Sequence, residues 1–137
     1  HAPHTIEEKS GNYTKAMSGG PLVQHALPAL LELYHQNKLP LQKIVEKTSH
    51  HVAEIYRLKE RGYIREGYYA DIVMVDLNNS WTATKENLLY KCGWSPFENY
   101  TFKSKVMKTF VNGNVVYDNG VMSATNNGMQ LKFERDR

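Results

Sequence analysis

The side chains best suited to chemistry stand at the start of the chain. In HAPHTIEEKS, His1 and His4 flank Ala2-Pro3, and Glu7, Glu8 and Lys9 follow closely. An imidazole can donate a hydrogen bond to a carboxylate, and it adds positive charge when protonated. Pro3 stiffens the approach to His4 and helps to fix the direction of its ring. His4 is therefore a candidate for binding an anionic group, weighed against the plainer reading of a surface histidine in a loop. His1 and His4 together suggest a metal site. Two histidines three residues apart, with no third ligand nearby, do not make a coordination set.

A second candidate is the run Ser18-Gly19-Gly20-Pro21. Its plain reading is a loop that ends at a helix start. Its sharper reading is a backbone cradle, because glycines let main-chain N–H groups approach a ligand and a helix start favours an anion. Other pairings carry less. Glu7 and Glu8 are adjacent, so their side chains diverge. Asp71 and Asp76 flank an apolar run and are read as ending or capping it. Cys92, in KCGWSPF, has no activating base beside it and is read as a structural thiol. The chain has no H-x-H pair, no Gly-rich nucleotide loop and no Ser/His/Asp arrangement. Nothing in it forms a complete catalytic set.

These residues must be positioned by the rest of a 137-residue chain, which is long enough for one ordinary domain. Charged residues make up 23% and the net charge is +3. Basic and acidic side chains alternate without a Lys/Arg block, which argues against nucleic acid as a partner. A single cysteine excludes an internal disulfide and fits a reducing compartment. No apolar run reaches the roughly 18 residues of a membrane span.

Residues 1–20 read as a loop. In PLVQHALPALLELYHQ, apolar residues from Leu22 to Tyr34 recur at helical spacing, with Pro28 expected to kink or split the helix. A second helix opens at Pro40, and Ser49 is a candidate N-cap for a third, HHVAEIYRL. After Gly62 the pattern turns to strands. ADIVMVDL shows little alternation and is predicted to be buried on both faces. SWTAT is a candidate short strand. KVMKTFVNGNVVYDNG is the clearest element, two strands joined at Asn112-Gly113. A helical first half and a β second half would each leave apolar surface uncovered, which suggests part of something larger.

The segments HAPHTIEEK, SGGPLVQHALPALLELY, RGYIREGYYADIVMVDLN, KCGWSPFE and TFVNGNVVY, in this order, resemble the C-terminal part of dihydroorotases. These are cyclic amidases of the metal-dependent amidohydrolase superfamily. The resemblance covers residues 1–118. G-x-I-x-x-G-x-x-A-D-I-V and the NG hairpin are superfamily features shared with hydantoinases and allantoinases, whereas H-A-P-H-x-x-E-E-K is narrower. At TSHHVAEIY relatives often carry Asn-Pro-Ala, so His50 and His51 are read as helix-surface residues. The resemblance implies an α/β architecture: the end of a TIM-like (β/α)8 barrel over 1–62 and part of a small composite β-sandwich over 63–125; the polar composition of 126–137 is itself read as a mobile tail. It implies a cytoplasmic enzyme that reversibly cyclises N-carbamoyl-L-aspartate to dihydroorotate, with a homo-oligomer and the rest of the parent chain as partners. It also implies a binuclear zinc centre in that parent and no metal ligand here. The family's catalytic aspartate immediately precedes HAPH, so this chain would hold none of the catalytic set. His4, Ser18 and Gly19 match the residues that hold the substrate. The alternatives are an allantoinase- or hydantoinase-like amidase, and a non-catalytic assembly subunit.

Overall fold

A computed structural model describes residues 4–124 and 127–134; His1 lies outside them. The chain is a mixture of helix and strand. A short helix, α1 (Ile6–Lys9), leads into a loop that ends at a 3-10 turn, Val23–His25, and then α2 (Ala26–His35). Pro28 neither kinks nor splits α2. It is the third residue of that helix, where an N–H has no intrahelical acceptor, so its loss costs nothing. The expected single helix from Pro21 is interrupted earlier instead, at the 3-10 turn.

The next two expected helices merge. α3 (Leu41–Val45), a π turn (Glu46–His50) and α4 (His51–Ile55) follow one another with helical backbone angles at both junctions. Ser49 is thus inside the run and caps nothing. Its hydroxyl donates to the Gly62 carbonyl at 2.9 Å. That bond holds the following loop against the helix, and glycine is what permits the approach. Gly62 has φ +82°, and a Cβ there would lie 2.4 Å from Cβ of Ala53.

The main sheet is antiparallel in the order β1-β4-β5-β6, with β1 (Ile72–Asp76), β4 (Lys105–Val111), β5 (Asn114–Asp118) and β6 (Val121–Met122). Asn112 and Gly113, at φ +51° and +81°, make the tight β4–β5 turn that the NG pair predicts. A second, two-stranded sheet pairs β2 (Trp81–Thr82) with β3 (Thr101–Phe102). β1 is not buried on both faces as expected. It is an edge strand, and Val73 and Met74 are 45% and 49% exposed. Part of the polar tail returns to the end of α4: Phe133 bridges Leu58, and Glu134 N–H donates to Arg57 O at 2.9 Å. Among the described residues, no helix is long and apolar enough to cross a membrane.

The two halves are joined by an aromatic cluster. His25 is fully buried, with Trp81, Tyr90, Phe97 and Phe102 all within 5.8 Å between ring centroids. The Ser95 hydroxyl accepts from the Phe97 amide and lies 2.9 Å from Nδ1 of His25. Ser95 thus ties the His25 ring to the 95–97 turn. The ring Nε2 is buried with no hydrogen-bond partner among the described residues. Burial pushes the His25 pKa below its ordinary value. The sign follows from linkage: the unfolded chain binds the proton more readily. Stability from this site is therefore full above about pH 6.5 and is lost as pH falls from there through the lower folded value. Urea unfolding across that range should show the loss, and His25→Phe should flatten it. An equal pH slope in the variant would assign it to other groups.

Around the cluster, buried Glu32 of α2 accepts from the Lys103 amide at 2.7 Å, and His35 Nε2 is hydrogen-bonded with Ser104 Oγ at 2.7 Å. The apolar surface is only partly covered. Ile64, Val121, Val23 and Ile55 are each more than two-thirds exposed. Exposed apolar groups beside an unpaired strand edge favour association. The 137-residue chain expressed by itself is expected to sediment above its monomer mass of 15.8 kDa. A monomer with one sharp urea transition would show that these surfaces need no cover.

Candidate functional site

Thr5 and Glu8 build the first part of the site. The Thr5 side chain accepts from the Glu8 amide, and the Glu8 carboxylate accepts from the Thr5 amide at 2.8 Å, a capping box that starts α1. The same Glu8 oxygen, Oε2, lies 3.2 Å from Nδ1 of half-buried His4. The Thr5 amide, with the His4 ring second, holds the Glu8 carboxyl below the usual carboxylate range. Glu8 is thus an ionised acceptor, so Nδ1 of His4 carries the shared proton. No described residue makes a hydrogen bond to Nε2.

Lys9 builds the second part. Its ammonium donates to the carbonyls of Met17 and Gly19, the latter at 2.7 Å, and so grips the loop on either side of Ser18. The Met17 amide returns a bond to Glu8 O at 3.3 Å. The structure thereby brings the His4 turn and the Ser18-Gly19 loop together, as two candidates of one site. Gly19 has φ +90°, a conformation suited to glycine. None of the amides of Ser18, Gly19 and Gly20 donates to another described residue.

A third segment closes the corner from the β half. Trp94 Nε1–H donates to the His4 carbonyl at 2.7 Å, and its ring lies beside the Lys9 ammonium at 6.0 Å. Sequence reasoning missed Glu8, Lys9 and Trp94. The Thr5-x-x-Glu8 spacing is a legible capping signal, but no local signal places Trp94 ninety residues later.

The other candidates lie elsewhere. Asp71 accepts from Arg61 and from the Asn112 amide, and so ties the β4–β5 turn to the start of β1. Asp76 accepts from the Asn78 amide just after β1. Both are structural, as expected. Cys92 is half-buried, with its sulfur 3.9 Å from the Trp94 carbonyl. His51 pairs with Glu46 on the helix surface, while His50 stacks on Tyr63 at 4.3 Å. Among the described residues, no three His, Cys, Asp or Glu side chains come together as a set that could hold a metal.

The fold that carries this corner is shared with known proteins. The family model described as "Amidohydrolase family" matches residues 6–116. This chain belongs to the amidohydrolase family. As an amidohydrolase chain it is 35% identical over 133 residues to an allantoinase from Desulfitobacterium hafniense (strain Y51), covering 96% of this chain and 30% of the relative. It is 32% identical over 136 residues to a dihydroorotase from Pyrococcus abyssi, covering 99% of this chain and 32% of that relative. A D-hydantoinase structure from a Bacillus sp. AR9 superposes with a TM-score of 0.74 at 26% identity, over 87% of this chain and 27% of the other. The amidohydrolase chain thus spans about a third of the length of the curated relatives it matches.

Proposed function

We propose that this chain is the C-terminal part of a cyclic amidohydrolase of the dihydroorotase kind, the enzyme that reversibly cyclises N-carbamoyl-L-aspartate to dihydroorotate. The observation that carries the reading is the corner itself: one ring nitrogen of His4 and the uncommitted amides of the 18–20 loop, joined through Lys9. Dihydroorotate bears a carboxylate, for which imidazolium and amide donors are suited. Allantoin and hydantoin rings bear none. A second reading, an allantoinase- or hydantoinase-like amidase, is favoured by the 35% identity to an allantoinase.

On the first reading, residues 1–62 close a TIM-like barrel, 63–125 supply part of a composite β-sandwich, and 126–137 follow as a tail. The enzyme would act in the cytoplasm, as a homo-oligomer. His4, Ser18 and Gly19 bind and orient the substrate carboxylate. Glu8 holds the His4 ring through Nδ1 and so fixes its orientation. The zinc chemistry of such an enzyme does not fit the residues described here, which contain no ligand set. The metal and the general base would come from the rest of the protein, and this chain contributes positioning alone.

The test is a substrate panel. The full-length product of the reading frame that contains this chain is supplied with zinc and assayed on dihydroorotate, allantoin and hydantoin. Turnover of dihydroorotate is expected, and the 137-residue chain alone is expected to turn over none of the three. Turnover of allantoin or hydantoin with none of dihydroorotate would favour the second reading. Failure on all three would leave a non-catalytic assembly subunit.

A further inference from the structure

We infer that Lys9 is a positioning residue that aims the amides of Ser18 and Gly20 at the ligand, and so sets affinity for its anionic group. The inference rests on the reading of the 4 and 18–20 corner as the place where substrate binds. In a planar trans peptide the C=O of one residue and the N–H of the next point in opposite directions. Lys9 holds the carbonyls of Met17 and Gly19. The amides on the far side of those two peptide units belong to Ser18 and Gly20. Two carbonyls drawn to one ammonium therefore turn two N–H groups away from it, and neither amide donates to another described residue.

Such a pair of aligned amides is an anion cradle. Ser18 and Gly19, both exposed, leave it open to solvent. Lys9 itself is held in place. It ends α1, whose start is fixed by the Thr5–Glu8 capping box, and its ammonium has the Trp94 ring on one side. Its charge is engaged by carbonyls rather than by a carboxylate, since none of the described ion pairs includes it. The positive charge is thus also available to polarise the two peptide groups, which strengthens the outward N–H donors.

The experiment compares Lys9→Met and Lys9→Arg in the full-length product, with two readouts. The first is steady-state kinetics on dihydroorotate. Lys9→Met is expected to raise KM about tenfold with little change in kcat, because misplaced positioning groups weaken the bound geometry. Lys9→Arg, which keeps charge and several donors, should restore most of the loss. The second readout is the backbone chemical shifts of residues 17–20 in selectively labelled protein, which should move in Lys9→Met and stay near their wild-type positions in Lys9→Arg. Unchanged shifts in Lys9→Met would overturn the inference, whatever the kinetics. Moved shifts with an unchanged KM would overturn it too, since the lysine would then be merely structural. His4→Ala in the same assay separates the two levels. If His4→Ala raises KM and Lys9→Met does not, this inference alone fails. If neither variant changes KM, the substrate-binding reading fails. Should the wild type turn over no ring at all, the backbone shifts of residues 17–20 still decide whether Lys9 orients the loop.

Discussion

Phe102→Ala is expected to cost about 3–5 kcal/mol of stability, the range found when a buried aromatic residue is truncated. Phe102 is completely buried, stacks on His25 and Trp81, and touches the rings of Phe97 and Tyr100. Its removal would leave a cavity among groups that cannot collapse easily, because each is tied to a different segment. His25 precedes α2, Trp81 is in β2, and Tyr100 leads into β3. The effect should also reach the site. The 90–104 stretch carries Trp94, whose indole holds the His4 carbonyl, so loosening the cluster frees one wall of the anion corner. The check is urea unfolding of the full-length product, with Phe102→Leu beside Phe102→Ala. Leu should recover a large part of the loss because it refills much of the volume. A cost below about 1 kcal/mol for the alanine variant would mean that the cluster is not the joint between helix and sheet.

How much of this could be read from the residues alone depends on the range of the interaction. The Asn112-Gly113 hairpin is legible because the turn is specified by the two residues that form it. α2 is legible because its periodicity is local, though its start is not. The 3-10 turn before it serves to place Gln24 and His25 against the 87–97 loop, where Gln24 donates to Asn87 O and accepts from the Leu89 amide. The merger of α3 and α4 hides behind Ser49, whose type suits a cap. Its hydroxyl is used for Gly62, a partner thirteen residues away. β1 misleads for a related reason. Its unbroken apolar run fits a strand covered on both faces, and the described residues do not supply that cover.

For the candidate site, residue type singled out His4 and the 18–20 loop only beside plainer readings, a surface histidine and a loop that ends at a helix start. The groups that hold them in place were not legible. Lys9 reads as one more charged residue until its ammonium is found between two carbonyls. Trp94 reads as a core aromatic until its N–H is found on His4. Positioning depends on which atoms meet in the fold, and no local pattern records that.

His4→Ala is expected to lower kcat/KM for dihydroorotate by about one to two decades, mostly through KM. The magnitude is that of a charge-assisted hydrogen bond to a carboxylate, roughly 1.5–3 kcal/mol. The substitution is well suited to isolate the ring. The His4 carbonyl that accepts from Trp94 is backbone and survives in alanine, and the Thr5–Glu8 capping box does not use the imidazole. What is lost is the ring that Glu8 holds, with its Nε2. Neutral rings without a carboxylate provide the control. If the parent also turns over hydantoin or allantoin, those activities should change far less than the activity on dihydroorotate. Metal content should stay at the wild-type level, because His4 is assigned no ligand role. Two results would remove the assignment. Loss of metal on His4→Ala would make the residue a ligand. An equal loss on charged and neutral rings would show that the imidazole acts on the ring amide or on the loop, and that the carboxylate is held by other groups.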